Sequence, residues 1–170
     1  RATNASCVSY NSSTQSVTTT APDTSLSNAV DNYSLVWTTS GDADWFYQSA
    51  TNHDGTDAAE SGDITHSQDS VMQTTVTGPG TVTFWWYVSS ESGYDYLKFY
   101  EDASEEYSIS GTSTGWAQIS HDVTASGSVV LKWSYEKDSS ADGGVDTAWV
   151  DQVVWTPDTN PNITVLGTDL

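Results

Sequence analysis

Basic residues and long apolar runs are both scarce in this 170-residue chain. Four Lys and Arg stand against 23 Asp and Glu, which gives a net charge of -19. A field of that sign repels nucleic acid and anionic lipid, so we expect neither as a partner. No stretch approaches about 18 consecutive apolar residues, so we expect no membrane insertion. The chain begins at Arg1 without an apolar leader, and we expect a mature secreted or cell-surface chain or an excerpt of a larger protein.

Cysteine and catalytic motifs are also missing or nearly so. The single cysteine, Cys7, excludes an internal disulfide and a zinc-thiolate motif, so it is either inert or paired with another molecule. The sequence has no G-x-S-x-G, no H-E-x-x-H and no phosphate loop, and its three histidines lack metal-ligand spacing. We therefore expect a protein that is not an enzyme.

The chain is rich in aromatic side chains and in short segments of β type. Eight Trp and nine Tyr predict a packed core despite the high content of Ser and Thr. Clusters of Gly, Pro, Asp and Ser, such as TGPG, TASGS and SSESGYD, separate apolar or alternating runs. This spacing predicts an all-β fold, a jelly-roll-type antiparallel β-sandwich over residues 23–157, with extended tails at 1–22 and 158–170. DAAES is the one stretch that we consider for a helix.

Alternation within the strands predicts which aromatic rings face outward. In TVTFWWYVSS one face carries Val82, Phe84, Trp86 and Val88, a core face, while Trp85 and Tyr87 point the other way. In YDYLKFYED, Leu97 and Phe99 face inward. If SSESGYD joins the two strands as a hairpin, one outer aromatic platform results, and its members are Trp85, Tyr87, Tyr96 and Tyr100. Such a platform either stacks on a polysaccharide or is covered by a tail strand or a neighbouring subunit. The alternative is that FWW is core on both faces.

Several stretches, in this order, resemble a bacterial extracellular β-sandwich module related to MAM domains, the jelly rolls of cell-surface proteins. They are AVDNYSLVW, GDADWF, HDGTDAAESGDI, MQTTVTGPGTVTFWWYVSSE, YDYLKFYED and DTAWVDQVVW, which together cover roughly residues 28–156. The resemblance implies a MAM-like jelly roll in a secreted or surface protein. The cysteines of MAM domains are missing here.

The resemblance also implies a structural Ca²⁺ ion, and the ligands carried over to this sequence are Asp31, Asp54, Asp57 and Asp151. The residue pattern agrees, because a regular last strand would put Asp151 on a core face with Trp149 and Val153, where a carboxylate needs a partner. HDGTD supplies two carboxylates around a Gly turn, a fair set of oxygen ligands. The alternatives are that Asp151 accepts hydrogen bonds from the backbone or from Trp, and that HDGTD is a solvated turn.

A second acidic loop, DSSADGGVD, contains Asp138, Asp142 and Asp146. Its residue types are those of a calcium loop. It lacks the EF-hand spacing and the terminal Glu, so we favour the first set.

Two non-catalytic functions are compatible with these features. The first is a structural or adhesive surface subunit whose terminal strands pair with the sheet edge of the next subunit, giving a filament or a tandem array. Its partners are copies of itself or neighbouring surface domains, its donor strands are the segment around Val8–Thr20 and ITVL, and Cys7 would lock the joint by an intermolecular disulfide. The alternative is a calcium-stabilised carbohydrate-binding module. Tails that fold back on their own domain would argue against the first.

Four N-x-S/T sequons suggest glycosylation, at Asn4, Asn11, Asn32 and Asn162. Chance alone gives roughly two such sites in a chain of this composition.

Overall fold

A computed structural model describes residues 23–112 and 115–158 of the protein. One helical turn, α1 (Leu26–Ala29), precedes eight strands: β1 (Thr38–Gly41), β2 (Phe46–Gln48), β3 (Ala58–Glu60), β4 (Asp69–Ser89), β5 (Tyr96–Glu101), β6 (Ser104–Ser110), β7 (Ala117–Glu136) and β8 (Thr147–Pro157). Every pairing is antiparallel, in the order β2-β3-β8-β4-β7-β5-β6, with β1 also on β4. The predicted all-β class is confirmed.

Some predictions fall on residues outside the described ranges. These are the tail segments 1–22 and 159–170, together with Asn4, Asn11, Asn162 and Cys7. Within the described ranges, no helix has the length and apolar character needed to cross a membrane.

The two longest strands differ from the prediction, which divided each of them into two. TGPG and TASGS do not reverse the chain, because they lie opposite each other in the β4–β7 pair. Gly78 pairs with Gly127, Gly80 pairs with Val123, and the register shifts between Gly78 and Gly80. Both strands therefore continue through this point, and the sheet curls over on itself. A Cβ atom at Gly80 would lie 2.5 Å from the ring of Trp155, so this close approach requires glycine.

The core lies between the two halves of the curled sheet. Phe84, in the second half of β4, packs on Phe99 of β5 and Trp133 of β7, with ring centroids 4.9 and 5.1 Å apart. The alternation predicted for the inward faces is confirmed, because these side chains are at most 2% exposed: Val82, Phe84, Trp86, Val88, Leu97 and Phe99. A curled antiparallel sheet of this kind is consistent with a β-sandwich or jelly roll.

Two local predictions are wrong. SSESGYD does not make β4 and β5 neighbours, because β7 lies between them. DAAES is not helical, since Ala58–Glu60 forms β3 between β2 and β8. The helical turn lies instead at Leu26–Ala29, where the Ser25 side chain caps it by accepting a hydrogen bond from the Asn28 N–H.

Candidate functional site

The four predicted calcium ligands lie close enough at the outer side of β8 for their charges to act on one another, although the described carboxylates that lie within 4.8 Å of one another are a different set, Glu91, Asp95 and Asp138. Asp31 follows α1 in a left-handed backbone conformation, with φ of 57°. Asp54 and Asp57 lie on the segment between β2 and β3, and Asp151 lies in β8. The negative charges of Asp31 and Asp54 both act on Asp151, and those of Asp54 and Asp57 act on Asp31, so the four carboxylates form one electrostatic cluster.

A bulge in β8 changes the expected position of Asp151. The β4–β8 register shifts between Thr83 and Trp85, and Gln152 has a φ of 51°. Asp151 and Trp149 still share a face, as predicted, but Val153 packs in the core on the opposite side. The face of Asp151 is the outer one, since Asp151 pairs with Trp85. It is buried there because the segment 51–57 covers it.

Asp151 has one satisfied carboxylate oxygen and one unsatisfied oxygen. Its Oδ2 accepts hydrogen bonds from the backbone N–H of His53 at 2.7 Å and of Asp54 at 3.3 Å. Its Oδ1 is buried and has no hydrogen-bond partner among the described residues. The residue is fully buried. A buried carboxylate oxygen without a partner is costly, so this atom points to a missing cation or proton.

The pKa values of the cluster indicate that its charge is not balanced. Burial, followed by the charges of Asp54 and Asp31, raises the pKa of Asp151 to about 6, although its two backbone hydrogen bonds act against the rise. Burial and neighbouring carboxylates also raise the pKa of Asp31 and Asp57. In the described part of the chain no lysine or arginine makes an ion pair with these four residues.

A second acidic cluster lies at the end of β7 and already contains a basic side chain. Carboxylate oxygens of Glu91, Asp95 and Asp138 lie within 4.8 Å of one another, which makes this a group that could bind a metal ion. The ammonium group of Lys137 has no exposed surface and lies 3.3 Å from Asp95 Oδ2. It also donates to Asp142 at 2.8 Å and to Asp146. The Asp142 and Asp146 of the predicted second loop therefore hold a lysine.

The outer side of the sheet next to Asp151 carries an aromatic strip, which we define as His53, Trp85, Tyr87, Trp116 and Trp149. His53 stacks on Trp85, with ring centroids 3.7 Å apart and planes 15° apart, and Tyr87 stacks on Trp149 at 5.0 Å and 16°. Trp116 links the two pairs, at 6.0 Å from His53 and 5.8 Å from Tyr87. His53 is exposed and Trp85, Tyr87 and Trp116 are half-buried, whereas Trp149 is buried and donates its ring N–H to Glu60, so it supports the strip from below.

The other two members of the predicted platform lie elsewhere. Because Phe84 and Phe99 face each other across the core, their outward neighbours Trp85 and Tyr100 lie on opposite outer faces. Tyr100 donates to Glu136 at 2.9 Å and has the Lys132 ammonium group 3.9 Å from its ring centroid. The structure therefore brings Trp85 and Tyr87 together but separates them from Tyr96 and Tyr100.

Sequence reasoning missed His53, Trp116, Trp149 and Gln152. Alternation in β8 contained the signal for Trp149, because it puts Trp149 on the face of Asp151. His53 precedes a predicted ligand directly, but nothing local shows that its ring reaches Trp85. The contact depends on how the 51–57 segment folds over β8, which is not a local property.

One predicted glycosylation site is incompatible with its surroundings. Asn32 is 8% exposed, and its Nδ2, the atom that would carry a glycan, donates to the Val153 carbonyl at 3.0 Å. Its Oδ1 accepts from the Ser34 N–H at 3.0 Å. The folded structure therefore argues against glycosylation at Asn32.

Comparison with known proteins gives matches among solved structures only. No protein-family profile matches the chain, and no curated protein sequence matches it. The secreted serine protease VesC from Vibrio cholerae is similar with a TM-score of 0.58 and 13% identity, over 78% of this chain and 26% of VesC. The K1 cleaved adhesin domain of Lys-gingipain from Porphyromonas gingivalis W83 gives 0.54 and 15%, over 74% of this chain and 94% of that domain. The K3 cleaved adhesin domain of the same gingipain gives 0.53 and 16%, over 71% and 91%.

These similarities establish the fold. The chain matches nearly the full length of the adhesin domains but about a quarter of VesC. The β-sandwich is therefore of the kind found in gingipain adhesin domains, and identity with MAM domains is not shown.

Proposed function

We propose that this chain is a non-catalytic binding module of a secreted or cell-surface protein, stabilised by Ca²⁺ and attaching to polysaccharide through the aromatic strip. The observation that carries the proposal is the aromatic strip itself, with stacked rings on an outer sheet face beside a buried carboxylate cluster. Proteins that share the fold include a secreted protease and adhesin domains, and this supports an extracellular setting.

Polysaccharide is the ligand class that suits this surface. Flat aromatic rings stack on the C–H faces of sugar rings, and nearby amides form hydrogen bonds with hydroxyl groups. Gln118 pairs with Trp85 across the β4–β7 ladder and is exposed, while Gln152 adjoins Asp151 on the other side. The net charge of -19 disfavours acidic polysaccharides, so the proposed ligand is neutral.

Calcium is the ion that suits the cluster around Asp151. Ca²⁺ takes six to eight oxygen ligands in flexible geometry. Asp31, Asp54, Asp57 and Asp151 supply carboxylate oxygens, and the unpartnered Oδ1 of Asp151 is free to bind. An ion there would supply the positive charge that neutralises the cluster.

Retention on immobilised neutral polysaccharides, namely β-1,4-glucan, β-1,4-mannan and α-1,6-glucan, tests the binding function. In calcium, we expect retention on at least one of them, and Trp85→Ala weakens it about ten-fold because a stacking ring is lost. Tyr100→Ala is the matched control, since its ring lies on the opposite outer face. Equal weakening by both variants, or no retention on any of the three, would contradict the proposal.

Assembly through the terminal strands is the second candidate. It is favoured by the strand order, in which β2 and β6 each have one neighbour among the described strands and so present an edge to an added strand. The proposed donor strands lie in residues 1–22 and 159–170. Light scattering on the full chain and on a chain without residues 1–21 tests this function. Polymers of the full chain and monomers of the shorter one are expected, and monomers of both would exclude it.

A further inference from the structure

We infer that His53 couples the cation cluster to the aromatic strip, so that calcium bound by the carboxylates fixes the His53 ring on Trp85 and raises the affinity for a neutral glycan. The inference rests on the proposed function and adds a regulation to it. Its starting point is that one short segment, residues 51–57, belongs to both sites.

The first half of the connection runs through the Asp151 carboxylate. Oδ2 holds the segment by accepting hydrogen bonds from the backbone N–H groups of His53 and Asp54, while Oδ1 is buried and has no partner in residues 23–112 and 115–158. One carboxylate thus fixes the backbone of His53 with one oxygen and offers the other to a cation.

The second half runs through the His53 side chain. Its Nδ1 lies 2.7 Å from Gln152 Oε1, and its ring stacks on Trp85 at 3.7 Å. Trp85 is the cross-strand partner of Asp151, and Gln152 is the bulge residue with a φ of 51°. The bulge therefore directs Asp151 to the cluster and the Gln152 amide to the His53 ring, and Gln152 is a positioning residue for that ring.

Like charges provide the driving force for the coupling. Asp54 is on the shared segment and is repelled by Asp31, Asp57 and Asp151 when no cation is bound. Residues 53–56 are exposed, so a displacement of the segment has to overcome mainly the His53 ring stack and the contacts of His53 with Asp151 and Gln152. With the carboxylates neutralised, the segment stays on Asp151 and the ring of His53 stays on Trp85.

The coupling is reciprocal by thermodynamic necessity. If calcium raises the affinity for the glycan by a given factor, the glycan raises the affinity for calcium by the same factor. We expect about a ten-fold effect in each direction, within the usual range of such couplings.

Two measurements test the inference. The first uses calcium chloride alone and follows the His53 and Trp85 ring signals by NMR. The second measures by calorimetry the affinity for the neutral hexasaccharide of whichever polysaccharide retains the protein, with and without calcium. Gln152→Ala is expected to lower the calcium effect on this affinity from about ten-fold to under two-fold. Gln73→Ala is the matched control, because it removes the same side chain from the first half of β4, where Gln73 pairs with Lys132 and lies away from Trp85.

The outcomes separate the inference from the proposed function. Calcium-dependent changes of the His53 and Trp85 signals, lost in Gln152→Ala and kept in Gln73→Ala, support the coupling. Calcium binding that leaves these signals and the glycan affinity unchanged overturns the coupling and leaves the calcium site and the glycan site standing. Absence of calcium binding overturns both the coupling and the calcium part of the proposed function.

Discussion

Asp151 and Asp95 are both fully buried carboxylates, but their surroundings differ in one basic side chain. Asp95 has the Lys137 ammonium group at 3.3 Å, and Lys137 also bonds Asp142 and Asp146. The hydrogen bond from Lys137 lowers the pKa of Asp142. Around Asp151 no such group is present in the described residues, and burial raises its pKa to about 6.

Burial alone does not decide how a carboxylate is used. The desolvation of Asp95 is offset inside the chain by Lys137, although Glu91 Oε2 in the same cluster is buried without a partner among the described residues. A buried carboxylate among like charges is stable only if it takes up a proton or an external cation.

Removal of the lysine should have the largest effect. Lys137→Met leaves the fully buried Asp95 without a cation, and we expect a loss of about 3–5 kcal/mol in the free energy of unfolding. Urea denaturation at pH 7 measures it. Lys132→Met is the control, since Lys132 is only half-buried and contacts the Tyr100 ring. A loss below 1 kcal/mol in Lys137→Met would contradict this prediction, because Lys137 would then not compensate the buried charge of Asp95.

The pH dependence of the Asp151 cluster should be almost as large. A carboxyl whose pKa is raised in the folded state favours folding at low pH and loses that contribution as pH rises from about 4 through about 6. In EDTA, wild type should therefore lose roughly 3 kcal/mol relative to Asp151→Asn between pH 4 and pH 7, from a shift of about two units. Urea denaturation of both proteins across this range measures the difference. A difference in unfolding free energy that stays constant from pH 4 to pH 7 would show that the pKa of Asp151 is not raised in the folded state.

Calcium should stabilise the wild type through one cluster and not the other. At about 100 times its dissociation constant, a ligand of the folded state adds about 2.7 kcal/mol. Thermal unfolding in calcium and in EDTA should show this gain in wild type and its loss in Asp151→Asn. Asp138→Asn should keep it, because Lys137 already supplies that cluster with a positive charge at Asp95. If Asp138→Asn loses the gain instead, the tighter group of Glu91, Asp95 and Asp138 binds the ion.

The sequence allowed the core faces to be predicted because alternation is a local property. Val82, Phe84 and Val88 could be assigned to the core, and Leu97 and Phe99 likewise, because each follows from spacing within one strand. The prediction ended β4 and β7 at their glycines, because a Gly-Pro-Gly sequence has the same local preference whether the chain reverses or only bends. Whether the chain reverses or bends there depends on the strand that pairs with it.

The candidate site was predicted in part, for the same physical reason. Asp31 and Asp54 could be proposed with Asp151 as ligands from residue type and resemblance. The platform of Trp85 with Tyr100 failed because it required β4 and β5 to be neighbours, and strand order is set by contacts far apart in sequence. The pairing of Lys137 with buried Asp95 could not be predicted from the sequence, because the partners of Lys137 come from two separate loops.

The smallest effect is predicted for Lys98, a lysine that is less buried than Lys137. Lys98 bonds Glu136 at 2.8 Å and Glu105 at 3.3 Å, and its side chain is 22% exposed. Because water and salt screen this pair, Lys98→Met should cost at most about 1 kcal/mol, and the cost should shrink further in 1 M NaCl. The cost of Lys137→Met should change less with salt, because its partner Asp95 is fully buried while its partner Asp142 is exposed. Urea denaturation of both variants at low and high salt measures this, and a cost in Lys137→Met that falls with salt as steeply as that in Lys98→Met would mean that Asp95 is open to solvent.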